Sequence, residues 1–287
     1  MDGPELAWSV EQPSLHRPIL VLALTGLFDV AQVATKALAH VVSSRPTETI
    51  ATIDPDGFYD FTQERPMVWL DEEGVRHISW PANEFRAVRQ DGPHDLLLLS
   101  GVEPHIRWKT YAEHVVTVAM RCGCDVVVTV GGAAEAVPHT RTPGVFGSST
   151  NDELARRLGL SRPQYQGPTG LFGVLHQQLE KHHIPAISLR VPVPHYLINA
   201  EHPQSTAALL RHLEHVLGVS TGHQELDGEV RRWRELHDAA VGTDDDAQEF
   251  VHILEGEFDR RTEAAIPSAD DLASEFEKFL REHRPDE

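Results

Sequence analysis

Unbroken apolar runs recur along the first two thirds of the chain, and each predicts a buried strand. The clearest is residues 18–24, in which no polar side chain interrupts the apolar ones. A strand with one face in water alternates apolar and polar residues, so a run without alternation indicates a strand covered on both faces. Similar runs predict strands at residues 49–53, 95–99, 125–130 and 186–191.

Helical periodicity fills the segments between these strands. After Asp29, which suits a helix N-cap, apolar side chains recur at spacings of three and four and therefore share one helical face. They are Val30, Val33, Ala34, Ala37, Leu38 and Val41. Further helices are predicted at residues 110–121, 152–158, 171–181 and 205–217. Strands that alternate with helical segments of crossover length predict an α/β fold with a mainly parallel sheet flanked by helices.

One pair of short apolar runs departs from this alternation. Residues 67–70 and 75–80 flank the tetrapeptide Asp71-Glu72-Glu73-Gly74. Two such runs around a glycine-bearing turn are typical of a β-hairpin. We predict that this hairpin is inserted between two crossover units.

The charge of the chain is concentrated toward its C-terminal end. Of the net charge of -19, residues 221–287 carry -12, from 20 acidic and 8 basic side chains. Helical periodicity continues there and predicts helices at residues 225–240, 246–260 and 269–281. We therefore predict two parts, an α/β domain at residues 1–220 and an acidic helical extension at residues 221–287.

Composition excludes several classes of protein. No apolar run approaches the roughly 18 residues that a membrane-spanning helix requires, and acidic residues precede any apolar stretch at the N-terminus. The strong negative charge opposes binding to nucleic acid or to an anionic membrane. Cys122 and Cys124 are too few and too close for a disulfide framework. We expect a cytoplasmic protein with reduced cysteines and with neither nucleic acid nor membrane as a partner.

A series of turn motifs resembles a known family. Glycine-bearing turns follow the first and a middle strand, and a third opens the helix at residue 171; a short strand, a Pro-aromatic turn and a final helix come next. The motifs are Thr25-Gly26, Val130-Gly131-Gly132, Gly167 to Gly173, His183 to Leu189, Val193 to Tyr196, and Pro203 with the helix after it. In this order they resemble the proteasome assembly chaperone 2 family over roughly residues 18–218.

The resemblance carries expectations about fold and partners. It implies an α/β architecture related to nucleoside-phosphorylase-like folds, self-association into a homo-oligomer and, as in some members, proteasome subunits as partners. It implies no established reaction and no cofactor.

Four acid–base side chains follow predicted strands and suggest an alternative. Ligands of open α/β sheets bind at the carboxyl ends of the strands, where Glu103, Glu135, His139 and His195 are expected. Such a group would serve general acid–base chemistry in a phosphorylase-like or hydrolase-like enzyme. The simpler interpretation is that these are solvated or helix-capping loop residues.

The glycine-bearing turns are also candidate ligand sites. Thr25, Gly26, Gly131, Gly132 and Gly170 follow strands or precede a helix, where backbone N–H groups bind anions. The chain nevertheless has neither a complete phosphate-binding glycine loop nor a nucleophile elbow, and no metal-ligand spacing. We predict a non-enzymatic oligomeric interaction protein. An enzyme, or a small-molecule binding module that uses the same loops, remains the alternative.

Overall fold

The computed structural model describes residues 5–265. Within this range it contains ten strands in two sheets. They are β1 (Leu6–Trp8), β2 (Ile19–Thr25), β3 (Glu48–Ile53), β4 (Met67–Leu70), β5 (Arg76–Ser79), β6 (Asn83–Val88), β7 (Leu96–Val102), β8 (Val126–Glu135), β9 (Phe146–Ser148) and β10 (Ala186–Pro194). Eight of them form one sheet in the order β1-β3-β6-β7-β2-β8-β10-β9, and β4 pairs with β5 alone.

The large sheet is mixed, and most of its strands point the same way. Strand β2 is parallel to β7 and β8, and β8 is parallel to β10. Strand β3 shares their direction because antiparallel β6 separates it from β7. Only β1, β6 and β9 run in the opposite direction. The predicted α/β fold with a mainly parallel sheet is confirmed, whereas a kinship with nucleoside phosphorylases stays a prediction.

The connection between β3 and β7 differs from the prediction. We predicted no strand between the hairpin and residue 95, but the chain forms strand β6 there. In β6, Asn83, Phe85 and Ala87 are buried while Glu84 and Arg86 are partly exposed. This alternation is typical of a strand with one face in water. It was not recognised in the sequence, where charged residues separate the apolar ones. The hairpin itself is confirmed as β4 and β5.

Seven α-helices accompany the strands in the described range. They are α1 (Val33–Ser43), α2 (Trp108–Cys122), α3 (Asp152–Leu158), α4 (Leu171–Lys181), α5 (Pro203–Leu217), α6 (Asp227–Val241) and α7 (Asp245–Ala265). Helices α3 and α4 begin and end as predicted, and the helix predicted at 269–281 lies outside the described residues. None of these helices is both long and apolar enough to cross a membrane.

Helices cover both faces of the sheet. Alternate side chains of β2 enter two separate cores: Leu20 and Leu22 pack with α2 and α4, while Val21 and Ala23 pack with α1 and α5. This is why the sequence of β2 shows no alternation.

Gln32, and not Asp29, occupies the N-cap position of the first helix, which begins later than predicted, but the Asp29 side chain still binds the first turn. A single 3-10 turn intervenes, and α1 starts at Val33. The Asp29 carboxylate accepts hydrogen bonds from the backbone N–H groups of Ala34 (2.8 Å) and Thr35 (3.3 Å). Burial raises the pKa of the Asp29 carboxyl group, and this effect outweighs the hydrogen bonds, which lower it.

Contacts divide the chain into two units. The first comprises Met1–Glu135 and Thr142–Trp233, and the second comprises Ala136–Arg141 and Arg234–Glu287. Within the second unit, Arg141 pairs with Glu255 at 3.0 Å and with Asp259 at 2.9 Å.

Candidate functional site

A cleft of about 460 Å³ opens in the first unit beside α4 and β10. We call it the Arg190 cleft. Its walls combine the rings of two phenylalanines and one tyrosine with one arginine and several hydroxyl groups. Among the lining residues are Phe28, Thr169, Phe172, His176, Ser188 and Arg190.

Arg190 is the main positive charge of this cleft. Its guanidinium carbon lies 4.4 Å from the ring centre of Phe28 and 5.3 Å from that of Phe172, and these two rings stack with centres 6.0 Å apart. Nη1 of Arg190 is buried and has no hydrogen-bond partner among residues 5–265. Desolvation lowers the pKa of Arg190 to about 10, so the side chain keeps its charge at pH 7.

Two of the predicted glycines make room for this arrangement. A Cβ at Gly131 would overlap Nη1 of Arg190 and the carbonyl oxygen of Phe28, and a Cβ at Gly170 would meet the Phe28 ring. The neighbouring Gly132 donates its N–H to the Phe28 carbonyl oxygen at 2.8 Å. The three glycines therefore fix the loop that carries Phe28.

Glu103 makes hydrogen bonds on the other side of the loop that carries Phe28. Its backbone N–H donates to the Thr25 carbonyl oxygen at 2.9 Å. Its carboxylate oxygens accept from the N–H groups of Leu27 (3.4 Å) and Leu171 (3.3 Å). The side chain lies so close to Gly26 that a Cβ there would be 2.6 Å from Oε2. Thr25, Gly26 and Glu103 are thus brought together, and Glu103 links the β2 exit loop to the start of α4.

The other predicted acid–base residues have different surroundings. His195 is exposed, and its Nδ1 lies 3.2 Å from the backbone carbonyl oxygen of Glu135 rather than from its carboxylate. His139 belongs to the second unit, where its Nε2 is 3.2 Å from Asp238. Burial, more than any other effect, lowers the pKa of His139.

Arg190, Ser188 and His176 of the cleft were not among the predicted site residues. Arg190 and Ser188 are the polar residues of β10, which is otherwise built from apolar residues. A lone arginine in such a strand is the signal that could have identified it, since buried charges require a specific surrounding. His176 lies on α4 with Nε2 3.0 Å from Thr129 Oγ1, and burial lowers its pKa to about 4.

Metal binding finds no support in the described part of the chain. Residues 5–265 contain no group of three histidine, cysteine or carboxylate side chains that could hold an ion. Cys122 is a free, buried thiol, and Cys124 is free and half-buried.

The β4–β5 hairpin forms a second candidate site, which we call the hairpin surface. Strand pairing places Met67 and Trp69 on one face and Val68 and Leu70 on the other. All four are exposed, and so are Val75, Ile78 and Trp80. Neither face is therefore buried by the described chain. Contiguous apolar exposure of this kind marks an interaction surface.

A groove begins two residues beyond the hairpin. It has a volume of about 310 Å³ and lies on the sheet face that also carries α1. Its apolar residues include Ala39, Val42 and Leu98, and Glu84 and Arg86, paired at 2.6 Å, form its polar part. The hairpin surface and this groove are two uncovered features of the first unit that lie close together in the sequence.

Comparison with known proteins identifies the family. The PAC2 (proteasome assembly chaperone 2) family model matches residues 23–241. The chain belongs to the PAC2 family. The matched segment runs from β2 into α6 and contains the hairpin, the groove and the Arg190 cleft. A search of functionally curated proteins gave no match.

Solved structures agree with this assignment. A PAC2 family protein from Streptomyces avermitilis is 36% identical, with a TM-score of 0.76 over 82% of this chain and 99% of the relative. A proteasome-assembly chaperone homologue from Mycobacterium tuberculosis is 32% identical, with a TM-score of 0.72 over 81% and 99%. The archaeal proteasome activator PbaB from Pyrococcus furiosus is 17% identical and shares the fold, with a TM-score of 0.64 over 82% and 97%.

Proposed function

We propose that this chain is a non-enzymatic protein of the proteasome-assembly-chaperone type that associates with itself through the hairpin surface. The observation that carries this proposal is the exposure of apolar side chains on both faces of β4–β5. The PAC2 assignment supports the chaperone part of the proposal.

The β4–β5 hairpin pairs with no other strand of the described chain. An isolated two-stranded hairpin is marginally stable in water, and it becomes stable when further strands or a packed surface cover it. The side chains of β4 and β5 are absent from both buried cores of the described chain. A second molecule that covers them would add the missing burial.

A second copy of this chain is the partner we favour. Each copy offers a projecting apolar hairpin and, two residues further along, a groove with an apolar floor. If the hairpin of each copy enters the groove of the other, the same contact forms twice, related by one two-fold axis. Each copy then has both its hairpin surface and its groove covered. Contacts of this reciprocal kind are the commonest in homo-oligomers.

The absence of catalysis is part of the proposal. Both carboxylate oxygens of Glu103 lie within hydrogen-bond distance of backbone N–H groups, and His139 pairs with Asp238 in the second unit. These contacts favour structural roles. Phosphorolysis of nucleosides or hydrolysis of nitrophenyl esters by the purified protein, if abolished by His195→Ala or Glu103→Gln, would contradict this view. We also propose a cytoplasmic location, which suits the two free thiols.

Self-association can be tested with matched substitutions. We expect the wild-type chain to form an oligomer at tens of micromolar in size-exclusion chromatography with light scattering. Met67→Ser and Leu70→Ser should each weaken association roughly tenfold or more, because each removes about 1.5 kcal/mol or more of apolar burial. Their combination should give monomers.

The chain offers close controls for both substitutions. Met67 and Leu70 are 68% and 65% exposed, and Met120 on α2 and Leu236 on α6 are 57% and 67% exposed. Met120→Ser and Leu236→Ser should leave the oligomer intact. A wild-type monomer, or equal effects of all four substitutions, would refute the role of the hairpin surface.

The proposed binding to proteasome subunits requires a separate measurement. We expect purified proteasome α-subunits to bind the wild-type chain in light scattering or biolayer interferometry. Binding by Met67→Ser/Leu70→Ser at wild-type affinity would place the proteasome contact elsewhere on the molecule. No binding by either form would remove the chaperone role while leaving self-association untouched.

A further inference from the structure

We propose that the Arg190 cleft binds a small organic oxyanion, a carboxylate or phosphate group carried on a flat apolar body. This inference concerns a different surface from the hairpin and does not depend on self-association.

The first support is the state of the Arg190 side chain. A buried guanidinium normally donates hydrogen bonds to a carboxylate or to carbonyl groups, since an unpaired buried charge is costly. Here no ion pair reaches Arg190 within residues 5–265, and its buried Nη1 has no hydrogen-bond partner there. Nη1 itself is enclosed beside the Gly131 backbone, and no hydrogen bond within residues 5–265 reaches the other guanidinium nitrogens either. Arg190 lines the cleft, so an oxyanion would bind these other nitrogens.

The carboxylate that acts electrostatically on Arg190 does not fill this role. Glu103 favours the charged form of Arg190 through space. Its two oxygens, however, accept from the N–H groups of Leu27 and Leu171. Glu103 thus helps to hold the arginine charged without occupying its donors.

The second support is the shape and chemistry of the cleft. Its volume of about 460 Å³ lies within the range of small-molecule sites, roughly 300–1,000 Å³. The stacked Phe28 and Phe172 rings offer a flat apolar wall next to the guanidinium. Hydroxyl groups of Thr169 and Ser188 lie in the same lining. A planar guanidinium beside aromatic rings suits a ligand that joins an oxyanion to an apolar ring.

The remaining charges of the lining restrict where the oxyanion can lie. His176 is uncharged at pH 7, because burial holds its pKa near 4. Glu180 is an exposed carboxylate of the lining. Arg190 is consequently the only positive charge among the lining residues, and the oxyanion should lie against it, away from Glu180.

The backbone around Arg190 is adapted to the guanidinium. Glycine at position 131 leaves the space that Nη1 occupies, and Gly132 anchors the loop that carries Phe28. The arginine, its aromatic wall and its backbone support come from four separate segments of the first unit. This is a built surrounding rather than a stray surface charge.

The test uses three probes of one size on the full-length protein. Benzoate and phenyl phosphate carry the two forms of oxyanion on a flat ring, and benzamide has nearly the shape of benzoate without its charge. We expect saturable binding of benzoate or phenyl phosphate by calorimetry at constant ionic strength, and binding of benzamide at least roughly tenfold weaker. The preferred oxyanion identifies the class of the natural ligand.

Two variants of Arg190 separate charge from geometry. Arg190→Gln should weaken binding by more than about tenfold, and Arg190→Lys, which keeps the charge but loses the paired donors, should also weaken it. Arg86→Gln removes a strand arginine in the groove and should bind as the wild type does. Met67→Ser/Leu70→Ser should bind normally as well, which keeps this test separate from the test of self-association.

The proposal is overturned if neither oxyanion binds the wild-type chain up to tens of millimolar. It is also overturned if benzamide binds as tightly as benzoate, or if folded Arg190→Lys retains full affinity. Circular dichroism of each variant establishes that the fold is intact.

Discussion

Arg190 and His176 show how desolvation affects two neighbouring basic side chains differently. Desolvation lowers the pKa of Arg190 to about 10 and that of His176 to about 4, and the arginine charge adds to the effect on the histidine. One group remains charged at neutral pH and the other remains neutral. The cleft therefore presents a single fixed positive charge instead of a pair that titrates.

The depressed pKa of His176 predicts a loss of stability in acid. In the unfolded chain a histidine titrates near 6.5, so between about pH 6.5 and pH 4 the unfolded state binds the proton that the folded state refuses. The free energy of unfolding should fall over this window by an amount approaching ~3 kcal/mol. Denaturant melts at several pH values should show a flatter profile for His176→Gln. Parallel profiles for the two proteins would contradict the assignment.

Contacts between residues that are close in the sequence can be predicted from it, whereas contacts between residues far apart in the sequence cannot. The binding of Asp29 to the first turn of α1 was predictable because its partners, Ala34 and Thr35, follow it within a few residues. The setting of Arg190 was not, because Phe28 and Phe172 reach it from distant parts of the chain. Periodicity carries no information about such contacts.

At the level of elements, the predictions succeeded where the pattern was unambiguous. Helices α3 and α4 were placed to the residue, and the hairpin was recognised from its turn. Strand β6 was missed because Glu84 and Arg86 interrupt its apolar residues, and the short strands β1 and β9 gave no usable period. What remains hidden in the sequence is the pairing of strands, which depends on tertiary contacts.

Glycine has opposite effects at the end and in the interior of a helix. Gly123 ends α2 with φ of +68°, and no atom lies within 4 Å of where its Cβ would be. Gly123→Ala should cost about 1 kcal/mol from backbone strain alone. Gly256, inside α7, has equally open surroundings, and Gly256→Ala should stabilise the protein by ~0.5–1 kcal/mol. Thermal denaturation should shift in opposite directions for the two variants, and shifts of the same sign would refute this account.

At the scale of the whole molecule, charge and packing divide the chain at different places. The acidic composition begins near residue 221, and a domain boundary there stays a prediction. Trp233, beyond that point, is buried in the first unit, donates its Nε1–H to the Glu201 carbonyl oxygen at 2.8 Å, and packs on His202 with ring centres 4.3 Å apart. The acidic composition of a segment shows that much of it faces water. Only the contacts between residues show which of them share a core.

Trp233→Ala should therefore destabilise the molecule although it lies in the acidic segment. We expect a loss of about 3 kcal/mol from the cavity and the missing hydrogen bond. Leu236→Ala, on the same helix but 67% exposed, should change the free energy of unfolding by less than ~0.5 kcal/mol. Urea denaturation measures both, and equal effects would mean that Trp233 does not anchor this helix.

The outermost strands of the large sheet set a limit on how copies of the chain can add to one another. Both β1 and β9 are only three residues long. An incoming strand would find too short a ladder of backbone donors and acceptors to extend the sheet sideways. Growth of the large sheet into open-ended fibres is therefore disfavoured at these margins, so the proposed association of copies falls to the hairpin surface.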